Sequence, residues 1–170
     1  MRKTTILLLL TSGALALSAC SKKAPEGQLP PPPQDTAPPA PPPAQPSGPQ
    51  PGSQADFLAS VQSDTIHFDL DSSDVDDADR TILRSQAEWL QRYPNKRATI
   101  EGHCDERGTR EYNLALGQRR ANSAKNYLAA LGIDPSRLTT ISYGKERPIA
   151  TGSDEASWAQ NRRAVTVTID

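Results

Sequence analysis

From about residue 65 the apolar positions alternate between two rhythms. Thr65-Ile66-His67-Phe68 reads as a short strand that runs into an acidic, turn-like stretch. Over residues 75–93, Val75, Ala78, Ile82, Leu83, Ala87 and Leu90 fit one face of a helix. Ser73 or Asp74 can cap it, and Asp76, Asp77 and Asp79 stand in its first turn, where the helix dipole favours negative charge. Pro94 ends it. Residues 97–103 predict a second strand, and a loop over 105–109 leads into a helix over about 111–131. Its buried stripe would hold Leu114, Ala121, Ala124, Leu128 and Leu131, with Gly132 just past its end. Residues 138–143 predict a third strand, 154–160 a short helix, and 164–169 a fourth strand. That last strand has Val165, Val167 and Ile169 on one face and its threonines on the other. The order βαβαβ(α)β predicts one α/β sandwich with helices packed on a mixed four-stranded sheet.

The N-terminal third follows neither rhythm. Met1-Arg2-Lys3 is basic, and the apolar run that follows reaches Leu17 but is broken by Thr11, Ser12 and Gly13. It is too short for a spanning helix and is built like a bacterial export signal. Leu17-Ser18-Ala19-Cys20 resembles the lipoprotein box, in which small residues precede a cysteine that becomes N-terminal and lipid-modified. The expectation is a signal peptide over 1–19 and lipidation at Cys20. The alternative is an ordinary signal peptide that happens to contain a cysteine. Two or more acyl chains make a stable anchor where one does not, at about 0.8 kcal/mol per buried methylene. Ser21 stands where an aspartate would favour inner-membrane retention. The outer membrane is therefore the expected location, with the chain facing the periplasm.

Composition sharpens this division. Hydrophobic residues make up 35% of the 170, below the roughly 45–50% of globular chains. Yet 13 of the 16 prolines lie between Pro25 and Pro51, and every aromatic residue lies beyond Ala55. Residues 20–54 are therefore expected to be a lipidated N-terminus and a disordered, proline-rich tether, able to reach roughly 100 Å in polyproline geometry. Residues 55–170 are expected to be one folded domain. From Ala55 onward 15 basic side chains face 18 acidic ones. That balance excludes a general electrostatic grip on nucleic acid.

Few residues offer catalysis. With Cys20 taken by lipid, Cys104 is the one remaining thiol, so no intramolecular disulfide is available. His103 precedes it, but neighbours in extended structure point to opposite faces. His67 could still approach in space, which leaves a cysteine-dependent wall enzyme as a rival reading. No zinc spacing and no phosphate-binding loop occurs, so no cofactor is expected. Asp69-Leu70-Asp71-Ser72-Ser73 begins like a calcium loop but lacks its glycine and final glutamate. Acids at a helix start account for most of that run.

The stretch from Glu101 to Ala121 carries more. It sets Asp105 at a strand end and Arg120 inside the next helix. A helix packed back on that strand could bring the two together beside the loop. One anion and one fork-shaped cation suit a zwitterion, Asp105 taking the ammonium and Arg120 the carboxylate. The alternative is a structural salt bridge between them.

Asp105, Gly108, Asn113, Leu116, Arg120 and Ala121 resemble the peptidoglycan-binding motif of OmpA-like domains. The resemblance is closer still to the peptidoglycan-associated lipoprotein family. It runs through Asp105-Glu106-Arg107-Gly108-Thr109, Glu111-Tyr112-Asn113 and Leu116-Gly117-Gln118-Arg119-Arg120-Ala121-Asn122. Ser142-Tyr143-Gly144-Lys145-Glu146-Arg147-Pro148 and Asn161-Arg162-Arg163-Ala164-Val165 extend it. The resemblance implies the OmpA-like fold, no enzymatic activity, and noncovalent binding of the peptidoglycan stem peptide through diaminopimelate. It makes Asp105 and Arg120 the principal contacts, Leu116 part of the wall, Phe68 and Asp71 contributors from the segment after the first strand, and Gly108 and Asn113 keepers of the loop's shape. It also implies the Tol–Pal system of envelope integrity and cell division, with TolB as partner and residues 64–79 as part of that interface. A wall anchor of the same fold with no Tol partner is the rival. Two departures stand out: Cys104 replaces the usual alanine or threonine, and Arg110 stands where proline is common. A thiol beside the site could bring oxidation sensitivity. Arg120→Ala is expected to abolish peptidoglycan retention with the fold intact.

Overall fold

The computed structural model describes residues 48–169. The signal-like segment, Cys20 and the tether as far as residue 47 lie outside the described residues. Four strands form one sheet: β1 (Thr65–His67), β2 (Arg97–His103), β3 (Leu138–Gly144) and β4 (Arg163–Ile169), in the order β1-β4-β2-β3. β2 and β3 run parallel, while β4 is antiparallel to both β1 and β2. The sheet is mixed and four-stranded, as the sequence predicts.

Four helices accompany it: α1 (Gln54–Ser60), α2 (Asp77–Arg92), α3 (Arg110–Ala130) and α4 (Glu155–Asn161). Leu83, Ala87 and Leu90 of α2 and Ala121, Ala124 and Leu128 of α3 share one core with Ile66, Ala98, Ile100, Leu138 and Ala164 of the sheet. Both long helices therefore cover the same face.

Two details differ from the sequence-based picture, which leaves a third open. The cap of α2 is Asp76, which accepts from Asp79 N at 2.7 Å, rather than Ser73 or Asp74. Ser72 is engaged with Asp74 N in the preceding turn. The later start leaves Ala78 exposed and turns Asp79, Gln86 and Trp89 inward. On β4 it is the threonine face that packs against the helices. Thr166 donates to Gln86 Oε1 at 2.8 Å, and Gln86 Nε2 donates to Ser63 O, so the buried hydroxyl is satisfied. Val165, Val167 and Ile169 lie half-buried on the other face.

The second difference is α1, a seven-residue helix too short to show a period. Ser53 caps it, and Asp56 accepts from both Gly52 N and Trp89 Nε1. Phe57 sits edge-on to Trp89 at 5.1 Å, and Gln54 Oε1 accepts from Thr168 N. Gly52, Ser53 and Gln54, assigned above to the tether, thus take part in the fold.

One glycine pair sets the height of α3 above the sheet. A Cβ on Gly102 of β2 would lie 1.8 Å from the carbonyl oxygen of Gly117. Only two glycines allow helix and strand backbones to approach this closely. Arg120, one turn after Gly117, is thereby brought within reach of the end of β2.

Candidate functional site

At that end of β2 lies a cavity of about 360 Å³. Its lining comes from three segments: Leu70 and Asp71 after β1, Cys104, Asp105, Arg107 and Gly108 after β2, and Tyr112, Asn113, Leu116 and Arg120 on α3. Asp105, Arg120, Asp71, Leu116, Gly108 and Asn113 all meet here, as the sequence expects. Phe68 does not line this cavity. It is buried in the core, with the Arg120 guanidinium carbon 5.2 Å from its ring centre.

The loop is built from within. Asn113 Nδ2 donates to Arg107 O at 2.6 Å and Thr109 O at 3.0 Å. Gly108 adopts φ +79°, a conformation that favours glycine. Lys145 Nζ donates to Glu106 O and Gly108 O from outside. Thr109 caps α3 by accepting from Tyr112 N. Arg110, the departure from the motif, pairs with Glu146 at 3.2 Å at the surface and does not reach the cavity.

Arg120 is 0% exposed. Its Nε donates to Ser72 O at 2.8 Å, Nη1 to His103 O at 2.9 Å and Nη2 to Asp69 O at 3.0 Å. One guanidinium ties the turn after β1 to the end of β2. Between the two carbonyls it grips on that turn stands Asp71, held at φ +54°, a conformation rare for residues other than glycine. The structural salt bridge between Asp105 and Arg120 considered above is therefore not formed. Arg120→Ala would take the donor from three carbonyls, that of His103 being buried, which weighs against the expectation of an intact fold.

Asp105 pairs elsewhere. Its Oδ1 accepts from Arg107 N and Nε, and its Oδ2 accepts from Arg107 Nη2 at 2.6 Å. Arg162 Nη1 stands 3.5 Å from the same oxygen. Burial pushes the Asp105 carboxyl up, but the Arg107 hydrogen bonds and charge, with Arg162, outweigh it and hold it below the ordinary carboxylate value. Arg162 is itself fixed by Phe68 O and by Glu155. Arg107, Arg162, Leu70 and Tyr112 were not singled out from the sequence. Three of them lie inside the quoted motif runs, and that was the available signal.

The thiol is not activated. Cys104 is buried, its Sγ donates to Asn113 O at 3.3 Å, and burial pushes its pKa up. The His103 ring lies against Tyr143 on the other side of the strand. His67 lines a different cavity, of about 310 Å³, together with Phe68, Asp69 and Asp76. Among the described residues, no group of three or more His, Cys, Asp or Glu could hold a metal ion.

The fold is thus a two-layer α/β domain with a pocket at a strand end, lined by acids, arginines and apolar side chains. The OmpA family model matches residues 67–162. Peptidoglycan-associated lipoprotein of Agrobacterium fabrum is 58% identical over 118 residues, covering 69% of this chain and 66% of that protein. Its namesake in Pseudomonas aeruginosa is 50% identical over 117 residues, covering 69% of both. The crystal structure of the peptidoglycan-associated lipoprotein from Burkholderia pseudomallei superposes with a TM-score of 0.62 at 43% identity, covering 69% of this chain and 98% of that one. The chain belongs to the OmpA family and, within it, to the peptidoglycan-associated lipoproteins.

Proposed function

We propose that this chain is a lipoprotein that binds peptidoglycan noncovalently and ties the outer membrane to the cell wall. The carrying observation is the cavity at the end of β2, where Asp71, Asp105, Leu116 and Arg120 converge from three separate segments. Acids and arginines beside an apolar wall suit a stem peptide carrying diaminopimelate, whose side chain ends in an ammonium and a carboxylate. The family name and the motif support the same reading. In it, Cys20 carries the lipid, residues 20–51 span from membrane to wall, and the domain from Gly52 onward faces the periplasm. Membership of the Tol–Pal system, with TolB as partner and a role in envelope integrity and cell division, completes the proposal.

The test is retention of the purified chain on peptidoglycan sacculi. Asp71→Asn is the informative variant, because asparagine tolerates the left-handed conformation while removing the charge. It should fold normally and lose about tenfold or more in affinity. Retention equal to that of the native chain would sink the site assignment. Crosslinking in cells and recovery of TolB distinguishes a Tol partner from a simple wall anchor.

A further inference from the structure

We infer that α1 is a load-limiting release: tension arriving along the tether detaches this helix before it reaches the turn that carries Asp71 into the cavity. The inference rests on the reading of the chain as a tie between membrane and wall.

The two ends of such a tie meet the domain at opposite ends of the sheet. β2 ends at the cavity, while its first residue, Arg97, is paired with Ile169 at the far end of β4. α1 lies at that far end. There Gln54 Oε1 accepts from Thr168 N at 2.7 Å, and a Cβ on Gly52 would lie 3.3 Å from the side chains of Tyr93 and Lys96. With the cavity held, a pull on Gly48 draws the chain along the strand direction.

Chain order then decides what is loaded: α1, the connector over 61–64, β1, and the turn over 69–72. β1 is antiparallel to β4, with Thr65 opposite Val165 and His67 opposite Arg163. It therefore runs from the tether end toward the cavity end, and tension on Thr65 loads it lengthwise. Its main-chain bonds to β4 lie across that direction and must give together. Beyond it, Phe68 N donates to Arg162 O at 2.9 Å, and Arg120 holds Asp69 O and Ser72 O. The turn bearing Asp71 is the end-stop of this line.

α1 is attached differently. Among the described residues, none of its main-chain groups bonds to the sheet. Side chains hold it instead: Phe57, fully buried against Trp89, Asp56 Oδ2, which accepts from Trp89 Nε1 at 2.9 Å, and Gln54. Ala55, Leu58, Ala59 and Ser60 face solvent. Pulled from its first residue, the helix loses these contacts one after another, so it is the least stable unit on the line. Release stops at the connector, where Gln86 Nε2 donates to Ser63 O at 2.9 Å and Thr166 N to Asp64 O at 2.8 Å. Residues 52–62 then add about 40 Å of contour. At a fixed distance between membrane and wall, that added length lowers the tension before β1 slides.

The experiment holds the unlipidated full chain in optical tweezers by Cys20 and by a cysteine introduced through Glu111→Cys, at the exposed start of α3 beside the cavity. The native chain should yield in two steps. The first, at lower force, releases about 40 Å and recovers on relaxation; the second releases roughly 170 Å as residues 63–111 unfold. Phe57→Ala should abolish the first step, that length appearing as slack from the outset, and leave the second-step force unchanged. Leu58→Ala, on the exposed face, should change neither. A single step that releases the whole length overturns the inference, as does a Phe57→Ala chain that keeps the native first step. Thermal unfolding reports whether that variant folds. Should it not, Gln54→Ala decides: its first step should come at lower force, and a native value overturns the release equally. A stem tetrapeptide carrying diaminopimelate, added in excess, should raise the second-step force and leave the first alone. A second step that the peptide does not move overturns the ligand reading of the cavity while leaving the release standing.

Discussion

Replacing Arg120 by alanine tests the tertiary role of this side chain most directly. The guanidinium, which has no exposed surface, donates to Asp69 O, Ser72 O and His103 O, the last in a buried contact and the first two in part-buried ones. Hydrogen bonds from a charged donor are each worth about 1.5–3 kcal/mol net. They do not simply add, and alanine also leaves a void. A loss on the order of 5 kcal/mol follows, against a total of about 5–15 kcal/mol for a domain. For a domain of this size that corresponds to a drop in Tm of about 15–25 °C. Arg120→Met restores most of the volume but none of the donors, and should recover only the void's share, about 1–2 kcal/mol. Urea unfolding followed by tryptophan fluorescence measures both variants, since Trp89 is buried in the core. A midpoint for Arg120→Ala equal to that of the native chain would refute the clamp. If the clamp holds, loss of peptidoglycan retention by this variant reports unfolding as much as a missing contact.

Gly102→Ala places a methyl group 1.8 Å from Gly117 O, so α3 must lift from the sheet, at about 3 kcal/mol or more; thermal unfolding should show a lower Tm, and an unchanged one would mean the helix sits higher than described. His103 is buried with neither ring nitrogen hydrogen-bonded, and burial, then Arg163 and Arg147, lower its pKa to about 4. Its contribution is complete above the unfolded value of about 6.5 and is lost as pH falls toward 4, by at most about 3 kcal/mol. Denaturation at pH 7.5 and 4.5 should show this slope in the native chain and a flatter one in His103→Phe. Asp79 acts in the opposite sense: burial raises its pKa to about 6, against the His67 hydrogen bond, and Oδ2 has no partner. The stability it contributes is full below the unfolded carboxylate value and falls as pH rises through 6, so Asp79→Asn should be more stable than the native chain at pH 7.5 by about 1 kcal/mol. Equal urea midpoints at that pH would show that the unpaired charge is solvated.

Much of the fold was legible because each long element carries its own signal. The period of α3, the strand of residues 97–103 and the glycine after α3 are local facts, and the observed bounds differ from the expected ones by a residue or so. Where signals were short or polar, the reading slipped. α1 has seven residues, and the start of α2 offered several acids as caps. Along β4 apolar residues alternate with threonines, and alternation alone does not say which face is buried. The threonines turn inward because Gln86 and Gln54 accept from their hydroxyls there.

The site divides in the same way. Sequence by itself determined that Asp105, Gly108, Asn113, Leu116 and Arg120 stand at the spacing of one motif, and that a proline-rich stretch precedes the periodic segments. These follow from residue type and spacing. Tertiary structure alone decided what each charge is engaged with. A guanidinium has five N–H bonds and a carboxylate two oxygens, and which neighbours claim them depends on segments some fifty residues apart in the chain. Arg120 proved to be a clamp on three carbonyls, Asp105 the holder of Arg107, and Asp71 an acid that accepts from the Tyr112 hydroxyl and has no ion pair among the described residues. Spacing places charges near one another; packing determines which of them remain unpaired.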